Sequence, residues 1–170
     1  MFVRYKEYYA TLNLTILRGG FKTPQKALRI LASKSSTIIW CFLVLEEAWR
    51  ALELAYEELE RYSTDREPLR LRNACEKGWL AVILATDELL ARYGYERPGG
   101  YRERRELLRK LEESVEDVAR LGLRDRFGAR GYYLHILGYH EGSLSESEVR
   151  VELEKVARYL KDVEELLPRH

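Results

Sequence analysis

Apolar residues recur every three or four positions along four long stretches of this chain, and this spacing limits its fold more than any other feature. Residues three or four apart share one face of an α-helix, so each stretch predicts an amphipathic helix. The predicted buried faces are Phe42-Leu45-Trp49-Leu52-Tyr56-Leu59, Cys75-Trp79-Val82-Thr86-Leu89-Tyr93, Leu108-Leu111-Val115-Val118 and Val149-Leu153-Val156-Leu160-Val163-Leu167. The sequence therefore predicts an all-α fold, an antiparallel bundle of four to five helices.

Local signals predict where several of these helices begin and end. Ser145 and Glu148 have the Ser-x-x-Glu spacing of a capping box, which predicts the start of the last helix. Gly142 is expected to end the preceding helix in a left-handed cap, and the third helix is expected to stop near Gly122. The remaining helix must then lie between Gly122 and Gly142.

The N-terminal region is less regular than the rest. Leu12, Leu14 and Ile16 alternate as in a short strand, and Thr23-Pro24 resembles a helix start. That helix either stands alone or continues into the first long helix. We therefore predict an N-terminal extension over residues 1–35 and a helical bundle over residues 36–167.

Composition and charge restrict the possible classes of function. With 170 residues, 46% of them apolar, the chain suits a single core, and its net charge of +1 provides no global basic field for nucleic acid or membrane. The apolar run TIIWCFLVL at 37–45 is too short to cross a bilayer, and the N-terminus lacks a secretory signal pattern. We expect no membrane association and a cytoplasmic location, and the many Arg and Glu residues suit a thermophile.

The cysteines and the His-Glu pair do not indicate a metal site. Cys41 and Cys75 fall in different predicted helices with no zinc or redox spacing, so we expect buried free thiols. His140 and Glu141 are adjacent, and adjacent residues point to different sides of a helix. We therefore expect neither a metal site nor a cofactor.

The string RNACEKGWLAVILATDELLARYG at 72–94 is followed by a charged helix, by YLHILGYHEG and by a final amphipathic helix. This order resembles the HEPN superfamily of small helical bundles, and within it the archaeal PaREP branch. The resemblance covers residues 36–167. It implies a homodimer that acts on RNA or nucleotides or works beside a nucleotidyltransferase partner protein, and many superfamily members are metal-independent ribonucleases, some of toxin-antitoxin type.

The same resemblance assigns catalytic roles to Arg130 and His135. Superfamily ribonucleases carry an Arg followed by four to six residues and a His, and the two side chains meet at the dimer interface. An imidazole titrates near neutral pH and can exchange a proton with an RNA 2′-hydroxyl. A guanidinium stays charged and matches the oxygens of a phosphate in the transition state.

Regular helix geometry places a condition on this pair. Residues five apart on an α-helix point about 140° away from each other, so Arg130 and His135 cannot converge on one straight helix. We expect Gly128 and Gly131 to bend the chain, so that Arg130 precedes the helix and His135 lies in its first turn, unless two subunits each contribute a residue. Alternatively, His135 is a structural residue hydrogen-bonded at a helix interface.

A basic and aromatic run surrounds the Arg-His pair. Cationic and aromatic side chains together can follow a single-stranded backbone and stack bases. The candidate RNA- or nucleotide-binding residues are Arg120, Arg124, Arg126, Tyr132, Tyr133 and His140. The alternative is a solvated face whose charges pair with nearby acids, namely Glu103, Glu106, Glu112 and Asp125. Three functions remain open: a ribonuclease, a non-catalytic RNA- or nucleotide-binding protein, and an assembly or antitoxin-type partner module.

Overall fold

The computed structural model describes the backbone of residues 24–167 and the side chains of residues 45–167. Within this part of the chain there are six α-helices and one π-helix, and no strand. The elements are α1 (Pro24–Asp65), α2 (Pro68–Arg92), α3 (Tyr101–Ser114), α4 (Glu116–Leu121), α5 (Leu123–Arg130), the π-helix (Gly131–Glu141) and α6 (Glu146–Leu166). The all-α prediction is confirmed. The strand predicted over residues 12–16 lies outside the described residues.

The chain divides into two compact units, Met1–Phe42 and Leu43–His170. The bundle described below belongs to the second unit. The helix predicted from Pro24 is continuous with the first long helix, since α1 spans Pro24–Asp65. Among the described helices, none has the length and the apolar content that crossing a membrane requires.

Helix α2 is central to the bundle because it packs against both α6 and the π-helix. The hydroxyl of Thr86 is 2.8 Å from that of Tyr159 in the buried layer between α2 and α6. Seven residues further along both segments, the Tyr93 hydroxyl donates to the carbonyl oxygen of Leu166. These contacts advance together along the two helices, so α2 and α6 run parallel. Each fully buried Leu or Val in such a layer contributes about 1.5 to 3 kcal/mol.

The π-helix runs antiparallel to α2. Gly131 lies against Trp79 near the start of the π-helix, and Gly138 lies against Cys75, one turn earlier on α2. A Cβ on Gly138 would be 2.5 Å from the Cys75 Sγ, a distance that real Cβ atoms essentially never show. The lack of a side chain at position 138 is therefore what allows the two helices to approach this closely.

The apolar faces predicted from periodicity are largely the observed core. All six residues predicted on the last helix are buried, and on α2 only Tyr93 of the predicted face is partly exposed. Cys75 is buried and free, as predicted, and burial raises the pKa of its thiol to about 12. The side chain of Cys41 lies outside the described residues.

The predicted third helix is wrong in one respect, because it is two helices. Val115 has an extended backbone (φ −129°, ψ 106°) that separates α3 from α4. The Ser114 hydroxyl donates to the carbonyl oxygens of Lys110 and Leu111 and so satisfies acceptors at the end of α3. Helix α4 then ends, as predicted, at Gly122 in the left-handed conformation.

Both predicted end signals around the last helix are confirmed. The Ser145 Oγ accepts from the Glu148 backbone N–H, and the Glu148 carboxylate accepts from the Ser145 N–H at 2.8 Å. Gly142 ends the π-helix with a φ of 64°, in the left-handed region that favours glycine.

Candidate functional site

The stretch that carries the predicted catalytic residues is a continuous helical rod. Arg130, the last residue of α5, and Gly131, the first of the π-helix, both have right-handed helical torsions. The expected bend at Gly128 and Gly131 is therefore wrong. Gly131 instead allows close packing, because a Cβ there would lie 3.0 Å from the Tyr101 ring and 3.3 Å from the Trp79 ring.

The π-helix changes which residues share a side of this rod. Its backbone bonds join residues five apart, as where the Gly142 N–H donates to the carbonyl of Leu137. Residues five apart therefore approach one another along a π-helix, whereas on an α-helix they diverge. The divergence of 140° expected from α-helical geometry does not apply between Gly131 and Glu141.

His135 and His140 are such a pair, and their side chains meet. The two Nε2 atoms are 3.2 Å apart, with the rings nearly perpendicular. On the other side of the His135 ring, Nδ1 lies 2.7 Å from a carboxylate oxygen of Glu76 on α2. We call Glu76, His135 and His140 the histidine cluster.

The histidine cluster is open to solvent on one side and braced by aromatic rings on the other. The side chain of His135 is 32% exposed and that of Glu76 is 39% exposed, while His140 is exposed. The Tyr139 ring is stacked 5.9 Å from His135, and the Trp79 ring lies 6.2 Å away. A solute can therefore reach both imidazoles, and the rings limit their movement.

The carboxylate of Glu76 also fixes the role of each nitrogen on His135. A carboxylate can only accept, so the proton of a neutral His135 resides on Nδ1 and donates to Glu76. The His135 Nε2 then has a free lone pair that faces His140. The cluster thus presents a proton acceptor at one imidazole and a proton donor or second acceptor at the other.

Arg72 adds a positive charge beside the cluster. It lies one turn before Glu76 on α2, and its Nη2 is 3.5 Å from the carbonyl oxygen of Glu141. A Cβ on Gly142 would be 2.7 Å from the Arg72 guanidinium, so the glycine also makes room for this side chain. Within the described part of the chain, no carboxylate lies at ion-pair distance from Arg72.

Arg72 and Glu76 are not among the site residues that the sequence predicts. Their spacing of four within RNACEKGW places both on one face of α2, and that spacing is the signal that was available. That spacing alone does not predict that this face of α2 packs against the π-helix.

Arg130 points into the protein and away from solvent. It is 7% exposed and forms an ion pair with Glu152 of α6, which also pairs with Lys155. The Arg130 guanidinium lies 5.7 Å from the Tyr133 ring centroid. Burial lowers the pKa of Arg130, and the Glu152 carboxylate opposes that shift. Among the described residues, no hydrogen bond or ion pair joins Arg130 to His135, so a single chain does not bring the predicted catalytic pair together.

The other predicted binding residues divide into two groups. The three arginines each have an aspartate at ion-pair distance: Arg120 with Asp117, Arg124 with Asp125 and Arg126 with Asp162. These pairs agree with the alternative prediction, a solvated face on which the basic side chains pair with nearby acids. Of the three aspartates, only Asp125 was among the predicted acids. Tyr132 and Tyr133 are 53% and 40% exposed and remain available for contact with a ligand.

No group of three or more His, Cys, Asp or Glu side chains within the described residues is arranged to hold a metal ion. A surface depression of about 230 Å³ lies over the start of α6 and is lined mainly by Tyr133, Leu144, Val151 and the acids Glu148 and Glu152. Its acidic lining does not suit a phosphate. The histidine cluster is therefore the better candidate for a functional site.

An all-α bundle in which a π-helix packs against the central helix α2 is the class that the fold defines. The model of the Archaeal PaREP1/PaREP8 family matches residues 43–160, which is more than half of the chain, and the protein belongs to this family. The matched region includes α2, the π-helix and most of α6, and hence the whole histidine cluster. No curated protein and no solved structure matches the chain.

Proposed function

We propose that this protein is a HEPN-like cytoplasmic protein that acts on RNA, and that the histidine cluster cleaves single-stranded RNA without a metal ion. The observation that carries the proposal is the 3.2 Å contact between the Nε2 atoms of two accessible imidazoles, one of which is oriented by Glu76. A positioned imidazole is the side chain best suited to proton transfer near neutral pH.

The proposed reaction is an internal transesterification. The His135 Nε2 takes the proton of the RNA 2′-hydroxyl, whose oxygen attacks the adjacent phosphorus. The bond from phosphorus to the 5′-oxygen breaks, and His140, which starts as the imidazolium, gives its Nε2 proton to the leaving oxygen. His135 ends protonated and His140 ends neutral. The products are a 2′,3′-cyclic phosphate and a free 5′-hydroxyl, so atoms and charge balance without an added cofactor.

Arg72 is the residue that we expect to contact the phosphate. Its guanidinium lies beside the cluster, and none of the described carboxylates pairs with it, whereas Arg130 is held by Glu152. A free guanidinium can donate two parallel hydrogen bonds to phosphate oxygens. In this proposal His135 is catalytic as predicted. Arg130 joins it only if the ion pair with Glu152 opens, either toward the cluster of its own chain or toward that of a second subunit in a homodimer.

The exposed aromatic residues complete the proposed RNA surface. Tyr132 and Tyr133 precede the cluster on the π-helix, and their rings meet edge to face at 5.4 Å. Stacking of a base on an exposed aromatic ring is worth about 1 to 3 kcal/mol. We expect these two tyrosines to hold bases next to the cleaved phosphate.

The test is cleavage of a single-stranded RNA oligonucleotide in EDTA by protein purified without an affinity tag. Because general acid-base catalysis contributes about 10² to 10⁴ in rate, His135→Ala and His140→Ala should each lower the cleavage rate at least 100-fold. Glu141→Gln is the matched control, since it changes an exposed neighbour of His140 and should leave the rate unchanged. A substrate with 2′-deoxyribose at the scissile position should not be cut. Unchanged cutting after His135→Ala would defeat the proposal.

A second function is favoured by the buried ion pair of Arg130. If that arginine never leaves Glu152, the site lacks the guanidinium of the superfamily motif, and the protein is then a non-catalytic nucleotide-binding or partner module beside a nucleotidyltransferase. In that case nucleotides should raise the melting temperature without cleavage products. Co-purification with a nucleotidyltransferase from the source cells would support this alternative.

A further inference from the structure

The spacing of the two facing imidazoles suits a metal ion as well as a proton. A tetrahedral zinc ion binds histidine nitrogens at about 2.0 to 2.1 Å, which places two such nitrogens about 3.3 Å apart. The Nε2 atoms of His135 and His140 are 3.2 Å apart. We infer that this pair binds one borderline transition-metal ion, of which Zn²⁺ is the representative, in addition to any action on RNA.

Glu76 supports this inference because it contacts the Nδ1 of His135, the ring nitrogen that would not bind the metal. Metal-binding histidines commonly donate their other N–H to a carboxylate, which fixes the ring and strengthens the free nitrogen as a ligand. The Nδ1 of His135 makes this contact with Glu76 at 2.7 Å. The Nε2 lone pair of His135 is thereby directed toward His140, where the ion would lie.

The site would be open and its binding reversible. It offers two protein nitrogens, and within the described residues no third His, Cys, Asp or Glu is arranged to join them. Water would fill the remaining positions, and the exposed His140 gives the ion a path from solvent. The nearby charge of Arg72 opposes a cation, so we expect weaker binding than at a closed structural zinc site.

The expectation of no metal site at His140 assumed the geometry of an α-helix, and the π-helix changes that geometry. Ligand pairs on α-helices are recognised at spacings of three or four, and His135 and His140 are five apart. The wider turn of the π-helix brings them together. A bound ion would also occupy the lone pairs that proton transfer needs, so zinc should inhibit RNA cleavage. That consequence, unlike the binding itself, rests on the proposed function.

The experiment titrates tag-free full-length protein with Zn²⁺ by calorimetry and with Co²⁺ by visible absorption. We expect one ion per chain, and at least a tenfold loss of affinity in His135→Ala and in His140→Ala. Glu76→Gln should weaken binding about tenfold, the lower end of the usual effect of an outer carboxylate. His170→Ala is the matched control, because it removes one imidazole from the chain and leaves the pair intact. Mg²⁺, which prefers oxygen ligands, should not bind.

Two results would overturn the inference: no Zn²⁺ or Co²⁺ binding by the unchanged protein, or equal affinity after loss of either histidine of the pair. Far-ultraviolet circular dichroism of each variant separates lost binding from lost folding, and His140→Gln, at an exposed position, provides a second variant. Because cleavage is assayed in EDTA and binding without RNA, failure of one proposal is distinguishable from failure of the other.

Discussion

Two helical glycines of this protein, Gly128 and Gly138, differ in how much space surrounds them. Gly128 and Gly138 both lie in helices and neither has a positive φ, but of the two only Gly138 would place a Cβ less than 3 Å from a neighbouring side chain. At Gly128 a Cβ would meet Tyr101 and Arg105 at 3.6 Å or more, which is ordinary contact. Stability should therefore respond differently at the two positions.

Gly138→Ala should destabilise the fold by about 1 to 3 kcal/mol, because the added methyl overlaps Cys75 and the well-packed π-helix has to move. Gly128→Ala should stabilise it by about 0.5 to 1 kcal/mol, since alanine is the better helix former. Urea unfolding of both variants measures the difference. Equal effects of the two substitutions would show that helix propensity, and not packing against Cys75, decides the outcome.

At the scale of elements, the helix ends at Gly122, Gly142 and Ser145 were predictable, whereas the break at Val115 and the helix type were not. Ser145, Glu148 and Gly142 act through bonds to residues a few positions away, so their spacing in the sequence contained the needed information. The π-helix has no comparable local signature in GYYLHILGYHE. Its widened turn places Gly138 on Cys75 and His135 beside Glu76, and these are contacts with a helix about 60 residues earlier.

Ser145→Ala should cost about 1 kcal/mol of stability, because the backbone N–H of Glu148 loses its acceptor at the start of α6. Thermal unfolding followed by circular dichroism provides the measurement. Ser145→Thr is the matched control, since threonine keeps a hydroxyl that can accept from the Glu148 N–H and should retain most of the stability. If the two serine variants lost the same stability, the capping box would not be the cause.

At the scale of the whole molecule, ion pairs connect helices that the apolar pattern could not order. Glu58 of α1 is 7% exposed and accepts from Lys77 and Arg70 of α2 at 2.8 and 3.2 Å. These contacts, led by the hydrogen bond from Lys77, lower the pKa of the Glu58 carboxyl. Periodicity predicted that α1 and α2 each have a buried face. It could not predict which charged residues meet across them, because that depends on how the helices are rotated and aligned.

The Glu58 contacts predict a pH-dependent stability difference. Because the folded-state pKa is lower than that of the unfolded chain, the ionised carboxylate stabilises the fold above the unfolded pKa of about 4.5, and this contribution is lost as the pH falls through the lower folded value. Glu58→Gln should therefore destabilise the protein at pH 7 by about 1 kcal/mol, after allowance for solvent around the partly exposed cations.

The melting temperatures of Glu58→Gln and the unchanged protein should converge as the pH falls from the unfolded value of about 4.5 through the lower folded value. Glu60→Gln, an exposed residue on the same helix, serves as the control and should show little difference at any pH. A gap between Glu58→Gln and the unchanged protein that stayed constant from pH 7 to pH 3 would assign the effect to side-chain packing and not to charge.

The π-helix makes the length of the segment between Gly131 and Gly142 as important as its composition. A π-helical turn holds more residues than an α-helical one, so deleting a single residue would allow the segment to relax to an α-helix and turn His140 away from His135. Over evolutionary time, substitutions in this segment should then be tolerated more readily than insertions or deletions. In other members of the family that retain both histidines, we expect four intervening residues to be retained as well, whatever those residues are.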